Sequence, residues 1–260
     1  MRVTILGSGP STGVPGIGIG WGACDPDNPK NRRLRSSILI ESNGKRILVD
    51  TSPDLRYQLL HVGIEHLDAV VFTHGHADHL NGLDDLRAIN RAMNAPLDGF
   101  ADATTLDIIG KRFAYVLEPL HEAATVYYKP VLNMHEIVPG EDYEIAGMNV
   151  RTFEQDHGYS KTIGFRFNDF GYTTDMVKLP QEAFSVLEGV CIWLVGVFSD
   201  KAHKTHIDVD KALKYRERIH PKHTIMTHLG PNLDYAALAE RLPEGVEPAF
   251  DFMSFNVPEA

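Results

Sequence analysis

Val71-Phe72-Thr73-His74-Gly75-His76-Ala77-Asp78-His79-Leu80 places three imidazoles and a carboxylate within six residues, directly after an apolar run from Ala69 to Phe72 that reads as a strand. Four such side chains in a packed core would each need a partner, because an unpaired buried polar group is costly. A solvated polar turn is the plain alternative, but it gives the concentration of imidazoles no purpose. Nitrogen and oxygen donors at this spacing suit a divalent cation of hard to borderline character. The stretch is therefore read as a metal site.

Outward from it, short apolar runs alternate with helical patterns. Val3 to Leu6, Ser37 to Ile40, Ile47 to Val49 and Ala69 to Phe72 read as strands, rich in β-branched residues and bounded by Gly, Asn or Asp. Pro53 suits the opening of a helix over Asp54 to His61. Further helices are expected over Leu83 to Met93 and Thr104 to Tyr115. The second half repeats the mixture, with strands near Met148 to Thr152, Thr162 to Phe167 and Cys191 to Val195, then a helix from about Val209 to Arg218 capped by Asp208. The periodicities give an α/β fold with mixed strands. No sequence repeat, low-complexity tract or linker divides the 260 residues, so one domain over 1–260 is the simplest organisation.

Composition narrows the classes. A net charge of −10 argues against broad affinity for nucleic acid or anionic membranes, which draws on clustered Lys and Arg. Two cysteines, Cys24 and Cys191, indicate no disulfide framework. Met1 to Gly7 lacks a signal-peptide apolar region, and the longest apolar stretch, Val190 to Phe198, is far short of the ~20 residues that span a bilayer. A cytoplasmic protein is expected, with a homodimer left open.

The pattern His74-x-His76-x-Asp78-His79 resembles the signature of the metallo-β-lactamase superfamily. Its later elements are matched by His157 in Glu-Gln-Asp-His-Gly, by Asp175 closing Phe-Gly-Tyr-Thr-Thr-Asp and by His228 ending Thr-Ile-Met-Thr-His. Asp50, closing Arg-Ile-Leu-Val-Asp, matches the acidic first motif. The resemblance implies an αβ/βα four-layer sandwich, two mixed β-sheets flanked by helices. It also implies two divalent ions, zinc or manganese: one on His74, His76 and His157, the second on Asp78, His79 and His228, with Asp175 bridging. Two ions about 3.5–4 Å apart would activate a bridging water as hydroxide at neutral pH. Asp50 and Asp156 have a reading as acceptors that orient ligand imidazoles through their ring N–H groups, with a turn or cap role open for Asp156.

The glycine-rich opening Leu6-Gly7-Ser8-Gly9-Pro10-Ser11-Thr12-Gly13 is no dinucleotide fingerprint, because its spacing is G-x-G-x-x-x-G and Pro10 and Pro15 oppose an immediate helix. With Gly13-Val14-Pro15 it resembles the PhnP-like cyclic-phosphodiesterase group. Those relatives commonly carry clustered Cys after this loop for an accessory structural zinc. Here only Cys24 stands in that region, and Pro231 follows His228 where a further ligand would be wanted, so no accessory zinc is expected and Cys24 is read as a loop or buried thiol. In Asn31-Arg32-Arg33-Leu34-Arg35, guanidiniums at Arg32, Arg33 and Arg35 are candidates for phosphate recognition, or else members of a solvated loop. His206, in Ala202-His203-Lys204-Thr205-His206-Ile207-Asp208, matches the substrate-side histidine of PhnP-like enzymes. Asp78 and His206 are read as the catalytic pair, with His206 as acid to the leaving group, although a surface role for His206 stands beside that reading.

The resemblance thus implies a metal-dependent phosphoric diester hydrolase acting on a small cyclic phosphate, such as a ribose 1,2-cyclic phosphate, or on a nucleotide phosphodiester. Its partner is a small-molecule phosphodiester, with no stable nucleic-acid complex and no membrane. The same centre is compatible with hydrolysis of a thioester, lactone or lactam. A non-catalytic carrier, like the pyrroloquinoline-quinone biosynthesis relatives, is the reading from a different class.

Overall fold

A computed structural model of the chain describes residues 1–258. Strands β1 (Arg2–Gly7), β2 (Ser37–Ser42), β3 (Lys45–Val49), β4 (Ala69–Val71), β5 (Leu97–Ala101) and β6 (Leu132–Glu136) come first in the chain. They are followed by β7 (Asp142–Ile145), β8 (Met148–Asp156), β9 (Lys161–Phe167), β10 (Phe170–Thr173), β11 (Ile192–Gly196), β12 (His223–Thr227), β13 (Val246–Pro248) and β14 (Ser254–Asn256). Two seven-stranded sheets result, ordered β14-β1-β2-β3-β4-β5-β6 and β13-β12-β11-β10-β9-β8-β7. Each is mixed in the same way. In the first sheet the pairings from β14 to β3 are antiparallel and those from β3 to β6 parallel. In the second, β7 to β10 pair antiparallel and β10 to β13 parallel.

Strand alternation explains the layering. In β2 and β3, Ile38, Ile40, Ile47 and Val49 face the second sheet, while Leu39 and Leu48 face the opposite way, the period of two that a strand imposes. The two strands turn at Asn43-Gly44, both at positive φ, as a two-residue hairpin requires. Across the interface stand Phe165, Phe167, Tyr172, Leu194 and Ile225. In β11, Ile192 and Leu194 point inward, and Trp193 and Val195 join the outer layer. Burying one such aliphatic side chain contributes about 1.5–3 kcal/mol, which commits each strand to its register.

Helices α1 (Leu55–Val62), α2 (Ala77–Leu80), α3 (Leu86–Met93) and α4 (Ala103–Arg112) belong to the first half, and α5 (Gln181–Leu187), α6 (Val209–Ile219) and α7 (Tyr235–Arg241) to the second. Leu55, Leu59, Leu86, Ile89 and Ile109 cover the outer face of the first sheet. Ala183, Leu187, Ala212, Ile219 and Leu238 cover that of the second. The architecture is the αβ/βα sandwich. Asp208 caps α6 as expected, accepting from the Lys211 amide at 2.8 Å. Two helices are shorter than their patterns suggest. The run from Leu83 begins as a 3-10 turn before α3, and α4 stops at Arg112, after which Phe113 leaves helical geometry at φ −132°. Among the described residues no helix is long and apolar enough to cross a membrane.

Candidate metal centre

The loops that leave the C-terminal ends of the strands converge at one edge of the sandwich, where open α/β sheets commonly bind ligands. Asp50 follows β3, His74 and His76 follow β4, and Asp78 and His79 lie on α2. His157 follows β8, Asp175 lies just past β10, and His228 follows β12. Three of these end residues adopt left-handed backbone without being glycine: Asp50 at φ 65°, Asp175 at 49° and His228 at 57°. Such conformations cost roughly 1–3 kcal/mol each and persist where the surroundings fix them, as in ligand clamps. Gly75 packs closely on α4: a Cβ there would fall 2.5 Å from Ile108 Cδ1, which would have to move, while Arg112 of the same helix donates to the Gly75 carbonyl at 3.2 Å.

Two groups of donors form. His74, His76, His157 and Asp175 make one, and Asp78, His79, Asp175 and His228 the other. Asp175 serves both with separate oxygens. Its Oδ2 lies 3.6 Å from His74 Nε2 and 3.7 Å from His157 Nε2. Its Oδ1 lies 3.1 Å from His228 Nε2 and 3.6 Å from His79 Nε2. Asp78 Oδ2 completes the second group at 3.4 Å from His79 Nε2 and 3.8 Å from His228 Nε2. A tetrahedron with bonds of about 2.0–2.1 Å has edges of roughly 3.3–3.4 Å, so these separations suit a cation at each centre.

Hydrogen bonding prepares the imidazoles. Thr73 Oγ1 donates its only proton to Asp50 Oδ2 at 2.7 Å, so it accepts from His74 Nδ1 at 2.9 Å, and His79 Nδ1 bonds the same carboxylate at 2.6 Å. His157 Nδ1 donates to the Thr205 carbonyl at 2.7 Å. The outward nitrogens are left over: Nε2 of His74, His79, His206 and His228 are all buried without a hydrogen-bond partner among the described residues. Buried lone pairs of this kind are costly unless something binds them, and a divalent ion fits the donors present.

Electrostatics agree. Burial pushes the Asp175 carboxyl up, but the His228 and His79 charges outweigh it and hold it well below the usual carboxylate range. Asp78 behaves likewise, burial being overcome by His79 and by the hydrogen bond to His228. His79 is raised well above an ordinary imidazole despite burial, because Asp175, Asp78 and Asp50 surround it. His74 and His157 are lowered, first by burial, which favours the neutral ring a metal requires. The carboxylates thus demand positive charge where the neutral rings of His74 and His157 point.

His206 lies inside this cluster rather than on the surface. Its Nε2 is 3.5 Å from Asp175 Oδ2, its ring stacks on His228 and packs against Phe198, and its Nδ1 meets Thr205 Oγ1 at 2.8 Å. Asp50 stands in the predicted place beneath His79. Asp156 instead accepts from the Gly158 amide at 2.8 Å and forms the turn that presents His157, which was the open alternative. The arginines need correction. Arg33, expected at the substrate, is 2% exposed and donates to the carbonyls of Leu229, Gly230 and Leu233, so it is out of reach of a ligand. Arg35 is tied to Asp54 through Nε at 2.8 Å and Nη2 at 2.6 Å. Arg32 is exposed, over the Trp21 ring. Thr73 and the Thr205 carbonyl escaped the sequence reading. The signal for them was the rule that each ligand imidazole needs an acceptor for its second N–H.

Residues 45–229 match the Beta-lactamase superfamily domain. Over its whole length the chain is 32% identical to an octanoyltransferase of Porphyromonas gingivalis, of which it covers 52%. It is 29% identical over 143 residues to a ribonuclease Z of Methanopyrus kandleri, covering 53% of this chain and 45% of that protein. The chain spans about half the length of these curated relatives. Among solved structures, a new diphosphatase from the PhnP family superposes with a TM-score of 0.90 at 32% identity, over 99% of this chain and 98% of that one. Zinc-bound PqqB from Methylobacterium extorquens shares the fold, with a TM-score of 0.76 at 20% identity over 99% and 100% of the chains.

Proposed function

The chain belongs to the metallo-β-lactamase superfamily and, within it, to the PhnP family; taking it as a metal-dependent hydrolase on that ground, we propose that it cleaves a small phosphodiester, a cyclic phosphate or nucleotide phosphodiester. The observation that carries this reading is Asp175 shared between two donor groups, in which Nε2 of His74, His79 and His228 is buried without a hydrogen-bond partner among the described residues. His74, His76, His157 and Asp175 would hold one ion, and Asp78, His79, His228 and Asp175 the other. Bound there, the ions supply activation of water and neutralisation of charge on the phosphoryl oxygens.

The protein's own groups do the rest. Asp50 and Thr73 fix the ring planes of His79 and His74, so the donors need no reorganisation at the moment of reaction. His206 is oriented at Nδ1 by Thr205 and directs Nε2 into the centre, where it is placed to hand a proton to a departing alkoxide. Of the three arginines Arg32 is the exposed one, over the Trp21 ring, and is the arginine proposed to meet the substrate's charge. A chain of net charge −10 favours a small anion drawn to a local cationic centre over a polymer held along a basic surface.

A relative named a diphosphatase over nearly its entire chain supports a second reading, cleavage of a diphosphate at the same centre. The acyl chemistry in the octanoyltransferase name keeps a thioester in the comparison. The test is turnover of bis(p-nitrophenyl) phosphate against an organic diphosphate, a thioester, a lactone and a lactam, each with and without added Mn²⁺ or Zn²⁺. The reading expects the phosphodiester to give the highest kcat/KM and to require metal. A faster diphosphate would select the second reading, and a faster thioester, lactone or lactam would overturn both.

A further inference from the structure

Arg33 is among the largest fully buried side chains of the protein, yet no carboxylate lies within ion-pair distance of its guanidinium among the described residues. Burying an uncompensated charge is expensive, so its surroundings must answer it by other means. They do so with a cradle of acceptors around its two terminal nitrogens, while Nε has no partner among the described residues. Nη1 donates to the Leu229 carbonyl at 3.2 Å and the Gly230 carbonyl at 3.1 Å, with Cys24 Sγ beyond at 3.8 Å. Nη2 donates to the Leu233 carbonyl at 2.7 Å and to Asn31 Oδ1 at 3.2 Å. The Cys24 thiol itself bonds the carbonyls of Pro231 and Leu233.

Every main-chain acceptor in this cradle belongs to the turn that follows His228. That turn is tied to neighbouring loops at two further points. The Leu229 amide donates to the Ser8 carbonyl at 2.8 Å, and the Gly230 amide donates to the Phe198 carbonyl at 3.1 Å. A Cβ on Gly230 would stand 2.3 Å from that oxygen, so the approach is already at its limit. Phe198 in turn packs against His206. His228 has no such brace of its own: its Nδ1 is buried without a partner among the described residues, unlike Nδ1 of His74, His79 and His157.

We infer that Arg33 is a positioning residue for the second ion: its guanidinium fixes the turn 229–233 and so supplies, through the backbone, the orientation of His228 that the other ligand imidazoles receive through Nδ1. Arginine suits the task because its planar fork engages several carbonyls at once, which a lysine ammonium does not reproduce. The inference rests on the dinuclear reading above.

The test is calorimetric titration of metal-depleted protein with zinc chloride, for wild type, Arg33→Met, His228→Ala and the double variant, with circular dichroism confirming that each is folded. Removing a group that orients a metal ligand typically costs ~10–100-fold in affinity, so Arg33→Met should weaken one of the two ions by that factor and leave the other within ~3-fold. In the His228→Ala background it should add little, because the ligand it serves is already gone. Equal weakening of both ions, no weakening in a folded variant, or full additivity with His228→Ala would overturn the inference. If Arg33→Met does not fold, Arg33→Lys is judged by the same criteria. Fewer than two ions on wild type would instead defeat the dinuclear reading, and this inference with it.

Discussion

Asp175 shows how much of the site rests on single residues. Its backbone is left-handed, its two oxygens face different donor groups, and its charge is the largest of the three, with Asp78 and Asp50, that draw His79 upward against burial. His206 is the other decisive residue, since it faces the same carboxylate but belongs to neither donor group. As acid to an alkoxide leaving group, it predicts that His206→Ala slows an alkyl phosphodiester by ~10²–10⁴-fold while a p-nitrophenyl ester, which needs little protonation, is affected much less. Metal content by elemental analysis should stay unchanged. Equal losses on both esters would make His206 a substrate-positioning group, and loss of metal would make it a ligand. At this scale the sequence was legible where chemistry is concentrated, because His74, His76, Asp78 and His79 stand within six positions. It was misleading at Arg33, since alternation along an extended segment tells which side a residue faces but not that a turn some 200 residues later closes over it. Thr73 was hidden for another reason: a threonine at a strand end is ordinary until the imidazole beside it needs an acceptor.

Between residues and the fold, the informative elements are short. α2 has four residues, too few for a helical period to register, yet it carries Asp78 and His79. β5, Leu-Asp-Gly-Phe-Ala, and β6, Leu-Asn-Met-His-Glu, lack a β-branched stretch and are held in the sheet by their neighbours rather than by propensity. β2, β3 and β4 were readable because each carries an uninterrupted apolar run covered on both faces, Ile38 to Ile40, Ile47 to Val49 and Ala69 to Val71. The segment that joins the last helix to β14 has its own electrostatic consequence. Asp251 accepts from the Ser8 amide and hydroxyl and from the Leu34 amide, but burial dominates and its carboxyl is pushed up to about 6. With a folded pKa above the unfolded value of 3.8, the native state holds the extra proton. Its contribution to stability is therefore fully present below the unfolded pKa and is lost as pH rises through about 6. At about 1.4 kcal/mol per pKa unit, discounted for partial exposure, the change amounts to ~1–2 kcal/mol. Asp251→Asn removes the titration, so the stability of wild type minus that of the variant, from urea unfolding, should shrink by that amount between pH 4.5 and pH 7. A difference independent of pH would show that the carboxyl titrates normally.

At the scale of the molecule, the two sheets repeat one plan: three antiparallel pairings, then three parallel ones, in the same chain direction. No sequence repeat announces it, because each half needs only apolar residues at alternate positions and many sequences satisfy that. The consequence is functional. Two strand-end loop systems meet at one edge, the first half supplying His74, His76, Asp78 and His79, the second His157, Asp175 and His228. Neither donor group is complete without both halves, so the centre reports on the packing of the sheets as well as on its own residues. The most direct test of the whole account is a metal titration of phosphodiesterase activity on metal-depleted protein, using bis(p-nitrophenyl) phosphate and Zn²⁺ or Mn²⁺, run beside Asp175→Asn, a substitution chosen because asparagine tolerates the left-handed backbone there. Wild-type activity should rise to a plateau at two equivalents, and the variant, without its bridge, should stay at least ~10³-fold lower at any metal concentration. A plateau at one equivalent, or a variant with near-normal rate, would contradict it.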